Sequence, residues 1–306
     1  MASRGRVALI AAGLTVGVIA LFLGTVWLML TALEEGGLPG RAKVAIVEVE
    51  GIIGVGASGG VDTDAIVRML GEHRDNPSVA AVVLRVNSPG GVVAPTQEIF
   101  AAVERVRAAG KPVVASMGSV AASGGYYVAV AANRVYANPG TLTGSIGVVM
   151  QLANVEGLLK KVGVDYIVVK AGAYKDIGNI ARPMKPEERQ VLQALLDDVY
   201  GQFVKAVAER RGLDEKTVRG FADGRIYSGQ QARALKMVDE MGGLEDAIEA
   251  AAKLAGIVGR PKLIYPRRGF SLRNLVQNRL GLDVAAQVLP ALPALLSLRT
   301  PLYLMQ

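Results

Sequence analysis

The spacing of apolar positions changes several times along the chain, and each change marks an element. From Val7 to Leu30 no residue is charged. At about 1.5 Å per residue this run is long enough to cross a hydrocarbon core of about 30 Å, so it predicts one N-terminal transmembrane helix. A cleavable leader would be shorter and would end in a small-residue cleavage site. Arg4 and Arg6 precede the run while Glu34 and Glu35 follow it, which places residues 1–6 in the cytoplasm and everything after the helix outside. Residues 31–43, with Gly36, Gly37, Pro39 and Gly40, read as a linker.

Beyond the linker, runs rich in β-branched residues at Val44–Val49, Val79–Val86, Val113–Ser116 and Tyr166–Val169 predict strands covered on both faces. Three- and four-residue apolar spacing over Asp62–His73, Thr96–Ala109 and Leu152–Lys161 predicts helices between them. The alternation implies an α/β fold with mainly parallel strands over residues 44–258. From Pro186, the series Leu192, Leu195, Leu196, Val199, Phe203 and Val207 marks one face of a long helix that Gly212 ends. Shorter helical patterns at Glu215–Phe221, Gly229–Leu235 and Leu244–Leu254 complete a helical C-terminal extension. Residues 259–306 carry Arg267, Arg268, Arg273 and Arg279, then an apolar stretch interrupted by Pro290 and Pro293, and read as a tail.

Composition narrows the chemistry. With 51% hydrophobic and 20% charged residues, 306 residues can bury a sizeable core. The absence of cysteine excludes disulfides, thiolate metal sites and a cysteine nucleophile. The net charge of +7 is dispersed among acidic residues and forms no basic run interleaved with aromatics, so no nucleic-acid partner is expected. The single histidine, His73, sits at helical spacing behind Ile66, Met69 and Leu70 and reads as a helix-packing residue. A Ser/His/Asp triad or a polyhistidine metal site has no other histidine to draw on.

Two glycine-containing segments follow predicted strands, where open α/β sheets place their reactive groups. In Asn87-Ser88-Pro89-Gly90-Gly91, adjacent glycines let backbone N–H groups face a ligand, as an oxyanion hole requires. In Ser119–Tyr127, Ser123 falls where a strand gives way to a helical pattern, beside exposed amide donors. Alone, the first is also a common turn and the second an ordinary helix cap. Nor does the second fit the Gly-x-Ser-x-Gly elbow, whose triad needs a histidine. Lys175, in the loop Lys170–Gly178, offers a different base, although most lysines in such loops are solvated. To accept a proton it must be neutral, which demands a dry, apolar cleft or a nearby cation.

The ordered blocks Asn87–Gly91, Ala122–Tyr127, Thr143-Gly144-Ser145-Ile146-Gly147, Tyr174-Lys175-Asp176 and Asp223–Gly229 resemble the signal peptide peptidase A family of serine peptidases, in its short, single-catalytic-domain bacterial form. The resemblance covers roughly residues 44–255. It implies a crotonase/ClpP-like fold and a Ser/Lys dyad that cleaves signal-peptide remnants and other membrane-associated or apolar polypeptides. By matched position it implies Ser123 as nucleophile, Lys175 as base, Gly90 and Gly124 as backbone donors to the oxyanion, and Ser145 as the hydroxyl that orients the lysine. It further implies a homo-oligomeric ring, no metal or nucleotide cofactor, and a catalytic domain outside the bacterial cytoplasmic membrane. Asn179–Lys185 departs from the family, lacking its small-residue-plus-proline start. The rival readings are a crotonase-type acyl-CoA hydratase or isomerase, which would need acidic catalytic residues, and a non-catalytic membrane-tethered scaffold.

Overall fold

Val44, Ile46, Ala81, Val83 and Val114 belong to one buried apolar cluster, and their sequence neighbours Ala45, Val47, Val82, Leu84, Val113 and Ala115 to another. Successive strand residues point to opposite faces, so two separate cores on the same strands mean a sheet covered on both sides. The computed structural model describes residues 14–28, 42–55, 60–266 and 302–304. Strands β1 (Lys43–Glu50), β2 (Val79–Ser88) and β4 (Val113–Ala122) form its parallel centre. Between β2 and β4 lies a short strand, β3 (Gly90–Val92), outside the main sheet.

β4 serves two partners in turn. Its first half pairs with β5 (Arg134–Ala137) and its end with β6 (Leu142–Gly144), both parallel. β7 (Ile226–Ser228) closes that edge antiparallel to β6, β8 (Glu240–Met241) pairs with β5, and β9 (Lys262–Ile264) lines the far side of β1. The larger core packs helices α2 (Thr63–Asp75), α3 (Val93–Ala108), α4 (Gly124–Val130) and α6 (Pro186–Arg211) on one face of the sheet. Ala247, Ile248, Ala251 and Ala252 of α9 (Leu244–Leu254) cover the other. Between α6 and α9 lie α7 (Glu215–Arg219) and α8 (Gly229–Ala234), and Gly212 ends α6 at φ 61°.

Two expectations are corrected. Tyr166–Val169 is not a strand: it is unpaired, with Ile167 84% and Val169 96% exposed. An apolar run becomes a strand only where a neighbouring strand accepts its backbone, and among the described residues none reaches this one. The helix expected from Leu152 begins only at Glu156, as α5 (Glu156–Lys161), and buries no side chain. On α6, Val199, Phe203 and Val207 are buried as the apolar face requires, whereas Leu192, Leu195 and Leu196 are not, so its first turns project beyond the core.

Residues 14–28 form helix α1, a unit distinct from the body that begins at Lys43. Among the described residues no helix is long and apolar enough to cross a membrane. The predicted span 7–30 continues past α1 at both ends, and those ends, with residues 1–6, most of the 31–43 linker and most of the 259–306 tail, lie outside the described residues.

Candidate active site

β4 runs six residues beyond the apolar stretch that predicted it, so Ser123 stands at the very end of the strand as the residue preceding α4. The turn is abrupt: Ser123 adopts φ 52° and ψ −119°, a conformation that non-glycine residues rarely occupy. Two backbone bonds hold it there. Its N–H donates to the Gly144 carbonyl at 2.8 Å, and its own carbonyl accepts from the Tyr127 N–H at 2.9 Å, the first bond of α4. The side chain is fully buried, and its Oγ has no hydrogen-bond partner among the described residues. A serine at a helix start ordinarily caps it, but this one does not.

Glycines let three backbones converge around that turn. A Cβ on Gly125 would lie 2.5 Å from the Ser88 carbonyl oxygen, and one on Gly91 2.1 Å from the Ile53 carbonyl oxygen. A Cβ on Gly124 would lie 3.2 Å from the Gly91 nitrogen and 3.0 Å from Thr96 Oγ1. The two segments singled out in the sequence are therefore in direct contact. The Gly124 N–H belongs to the first turn of α4, whose amides lack intrahelical acceptors. The Gly90 N–H donates to Ser88 Oγ at 3.1 Å, with Gly90 at φ 113°. Ser88, which lies inside the first flagged segment without a role assigned to it, and Thr96, which sequence reasoning missed, are both fully buried parts of this site.

Ser145 enters from the neighbouring strand. β6 ends at Gly144, Ser145 follows at φ 50° and is buried, and its N–H donates to the Arg225 carbonyl at 2.8 Å. That bond and the β6–β7 pairing bring the Asp223–Gly229 block to the site. Beyond Ser145 opens a pocket of about 460 Å³ lined by Ile146, Val148, Leu196, Tyr200 and Asp223.

Lys175 is exposed, and among the described residues it makes no hydrogen bond to Ser123 Oγ. The buried setting that a lysine base requires is therefore not supplied around it by the described residues of one chain. Its loop is anchored through ions. Asp176 accepts from Lys170 and, at 3.0 Å, from Arg182 Nε, while Arg182 also donates to Glu188, at 2.8 Å from Nη1 and 2.5 Å from Nη2. Arg182 and Lys170 hold the Asp176 carboxyl well below the usual carboxylate range. Arg182 and the Lys185 amide bring Glu188 down to about 2. Arg182, in the Asn179–Lys185 stretch, thus ties the lysine loop to the start of α6. His73 has a structural place: its ring is half-buried near the end of α2, and its carbonyl accepts from Lys111 Nζ at 2.8 Å.

Residues 105–258 match peptidase family S49. A putative protease of Synechocystis is 46% identical over 217 residues, which are 71% of this chain and 76% of that protein. A putative signal peptide peptidase SppA of Enterococcus faecium is 33% identical over 243 residues, 78% and 70% of the two chains. Protease 4 of Salmonella typhi is 35% identical over 268 residues, 87% of this chain but 42% of its own length.

Proposed function

The chain belongs to peptidase family S49 and is a serine peptidase, and from that premise we propose a membrane-anchored endopeptidase in which Ser123 is the nucleophile and Lys175 the general base. The observation that carries the assignment of Ser123 is its buried, unpartnered Oγ on a strained strand-to-helix turn. Backbone strain held in place by two hydrogen bonds and a hydroxyl left without a partner are costs that a cap or a turn would not retain.

In the proposed reaction, neutral Lys175 Nζ takes the Ser123 hydroxyl proton as Oγ bonds to the scissile carbonyl carbon. The Gly124 N–H stabilises the oxyanion, joined by Gly90 once its N–H leaves Ser88 Oγ, and Ser145 orients the lysine. The C–N bond breaks as Nζ returns the proton to the amine. Water, deprotonated by the same lysine, then hydrolyses the ester and restores Ser123.

Two features support the wider setting. Apart from Thr15 and Thr25, the side chains of α1 from Leu14 to Trp27 are apolar, and they are exposed on every side. A helix with no charged residue, whose Thr25 hydroxyl is satisfied by its own Phe22 carbonyl, suits an apolar surround, and a bilayer reached through residues 7–30 supplies one. The arm carrying Lys175 exposes Val162, Val164, Tyr166, Ile167 and Val169. Cover by further copies of the chain, assembled as a ring, would bury this surface and remove water from Lys175. Apolar and membrane-associated polypeptides, including signal-peptide remnants, are the substrates such a tethered site would meet.

The test is hydrolysis of an apolar fluorogenic peptide by the full chain, beside labelling with a fluorophosphonate. Ser123→Ala should lose both, and Lys175→Ala should lose turnover while keeping its melting temperature. Near-normal hydrolysis by either variant sinks the corresponding assignment.

A further inference from the structure

Parallel strands start at one end of a sheet and finish at the other, so the residues that open them meet. Ser123 follows the finishing end of β4. At the starting end Lys43 opens β1, Lys262 opens β9, and the two are register partners. Lys253 stands in the last turn of α9, from which the chain leads into β9, and Arg260 lies two residues before Lys262. Among the described residues none of these four cations forms an ion pair. Lys111, just ahead of β4, adds its charge at the same end, its Nζ donating to the His73 and Asn76 carbonyls at 2.8 and 2.6 Å.

Between Lys253 and Arg260 the chain carries an apolar tip. The Ile257 N–H donates to the Ala252 carbonyl at 2.9 Å, and the Ile257 side chain packs against the core under α9. The next residue, Val258, is turned outward and 99% exposed, between Gly256 and Gly259 at φ 69° and 79°. Leu254, at the end of α9, is exposed as well. An apolar residue held outward by a tied turn, among cations without carboxylate partners, suits a bilayer surface. There the cations meet lipid phosphates and the apolar tip enters the headgroup boundary. An acidic protein or a nucleic acid would engage the cations and leave Val258 in water. Chain continuity points the same way, because Lys43 begins the body and the predicted span ends at Leu30.

We propose that this end of the body, with Lys43, Lys253, Arg260 and Lys262 around Val258, is a docking surface for a bilayer containing anionic phospholipid. The proposal takes only the nearness of a membrane from the reading above, and needs neither Ser123 nor Lys175. A body docked in this way holds Ser123 at the end of the sheet remote from the lipid.

The chain has no cysteine, so Val258→Cys and Ser119→Cys can each carry a single nitrobenzoxadiazole label. Ser119 is exposed near the finishing end of β4 and serves as the control. Each labelled full chain is reconstituted in nanodiscs of phosphatidylcholine, alone or with about 30% phosphatidylglycerol. The label at position 258 should brighten at least about threefold in the anionic discs only, and nitroxide-bearing lipid should quench it. The gain should disappear in about 0.5 M NaCl, where charges are screened within a few ångströms. The label at position 119 should do none of this. Lys253→Glu, Arg260→Glu and Lys262→Glu together, all at exposed positions, should leave the melting temperature unchanged and abolish the gain. Equal signals in the two lipids, a gain that survives the three reversals, or a gain at position 119 equal to that at 258 overturns the proposal. So does a gain that soluble polyglutamate produces in phosphatidylcholine discs. Retention of the chain in phosphatidylcholine discs through a high-salt wash reports the anchor separately. A chain that is not retained is mixed with vesicles of the same two compositions and read in the same way, so failure of the anchor and failure of this surface are told apart.

Discussion

Ser123 and Ser145 leave the ends of two paired parallel strands with nearly the same positive φ, 52° and 50°, and the Ser123 N–H donates at 2.8 Å to Gly144, the residue just before Ser145. The last residues of β4 and β6 thus fix each other, and the cost of the Ser123 turn is borne by that pairing. Relieving the strain at Ser123 should reveal its size. Ser123→Gly removes a conformational cost of about 1–3 kcal/mol and adds a chain-entropy cost of about 0.5–1 kcal/mol. The variant should be inactive yet more stable by about 1 kcal/mol in denaturant titration. A loss of stability would show that the turn is unstrained.

Close approach of α4 to Ser88 makes Gly125 intolerant in a way that helix propensity does not foresee. A Cβ there would meet the Ser88 carbonyl oxygen at 2.5 Å, backbone against backbone. Gly125→Ala should cost about 1–3 kcal/mol and, by displacing the Ser88–Gly91 segment relative to Ser123, lower kcat/KM about 100-fold. Gly71 is the contrast. It lies within α2 with nothing inside 4 Å of its would-be Cβ, so Gly71→Ala should stabilise by up to about 1 kcal/mol with unchanged activity. Chemical denaturation and steady-state kinetics on both variants check the pair.

The central sheet was legible because its strands are buried on both faces, so Val44–Val49, Val79–Val86 and Val113–Ser116 carry near-continuous apolar runs. The last six residues of β4 were not, since Met117–Ala122 is made mostly of small residues whose strand character comes from pairing with β2 and β6. Tyr166–Val169 misled for the opposite reason, having strand composition without a strand beside it. At the site, the contact between Asn87–Gly91 and Ala122–Tyr127 follows from both segments standing at ends of neighbouring strands. The ions that anchor the Lys175 loop carry no periodic signal, because Asp176 and Arg182 lie in irregular chain and meet Glu188 in the first turn of α6. Pairing of residues 302–304 with 90–92 was equally hidden, as nothing local to either segment specifies so distant a partner.

Acid should loosen the lysine loop in a defined direction. Glu188 ordinarily titrates near 4.5 and is brought down to about 2 here, and Asp176 is lowered as well, both chiefly by Arg182. A carboxylate lowered on folding contributes stability above its ordinary value and loses it as pH falls through the folded one. The melting-temperature advantage of the wild type over Glu188→Gln should therefore be full above about pH 5 and shrink steadily towards about pH 2. An advantage independent of pH across that window would mean that the Arg182 pairing does not stabilise the fold.

The exposed arm supplies the last prediction. Ile167 and Val169 are 84% and 96% exposed and touch no core, so charging them should leave the fold of a single chain intact. Their exposure is costly only if they face water in the working protein, and an assembly that covers them removes that cost. Ile167→Asp combined with Val169→Asp would instead bury charges at the contact, which destabilises an interface by several kcal/mol in all. The double variant should keep its melting temperature within about 2 °C, as a surface change does. It should sediment as a smaller species than the wild type and lose peptidase activity together with its assembly. Unchanged sedimentation with full activity would show that the arm faces solvent, and that Lys175 gains its apolar setting without a neighbouring copy.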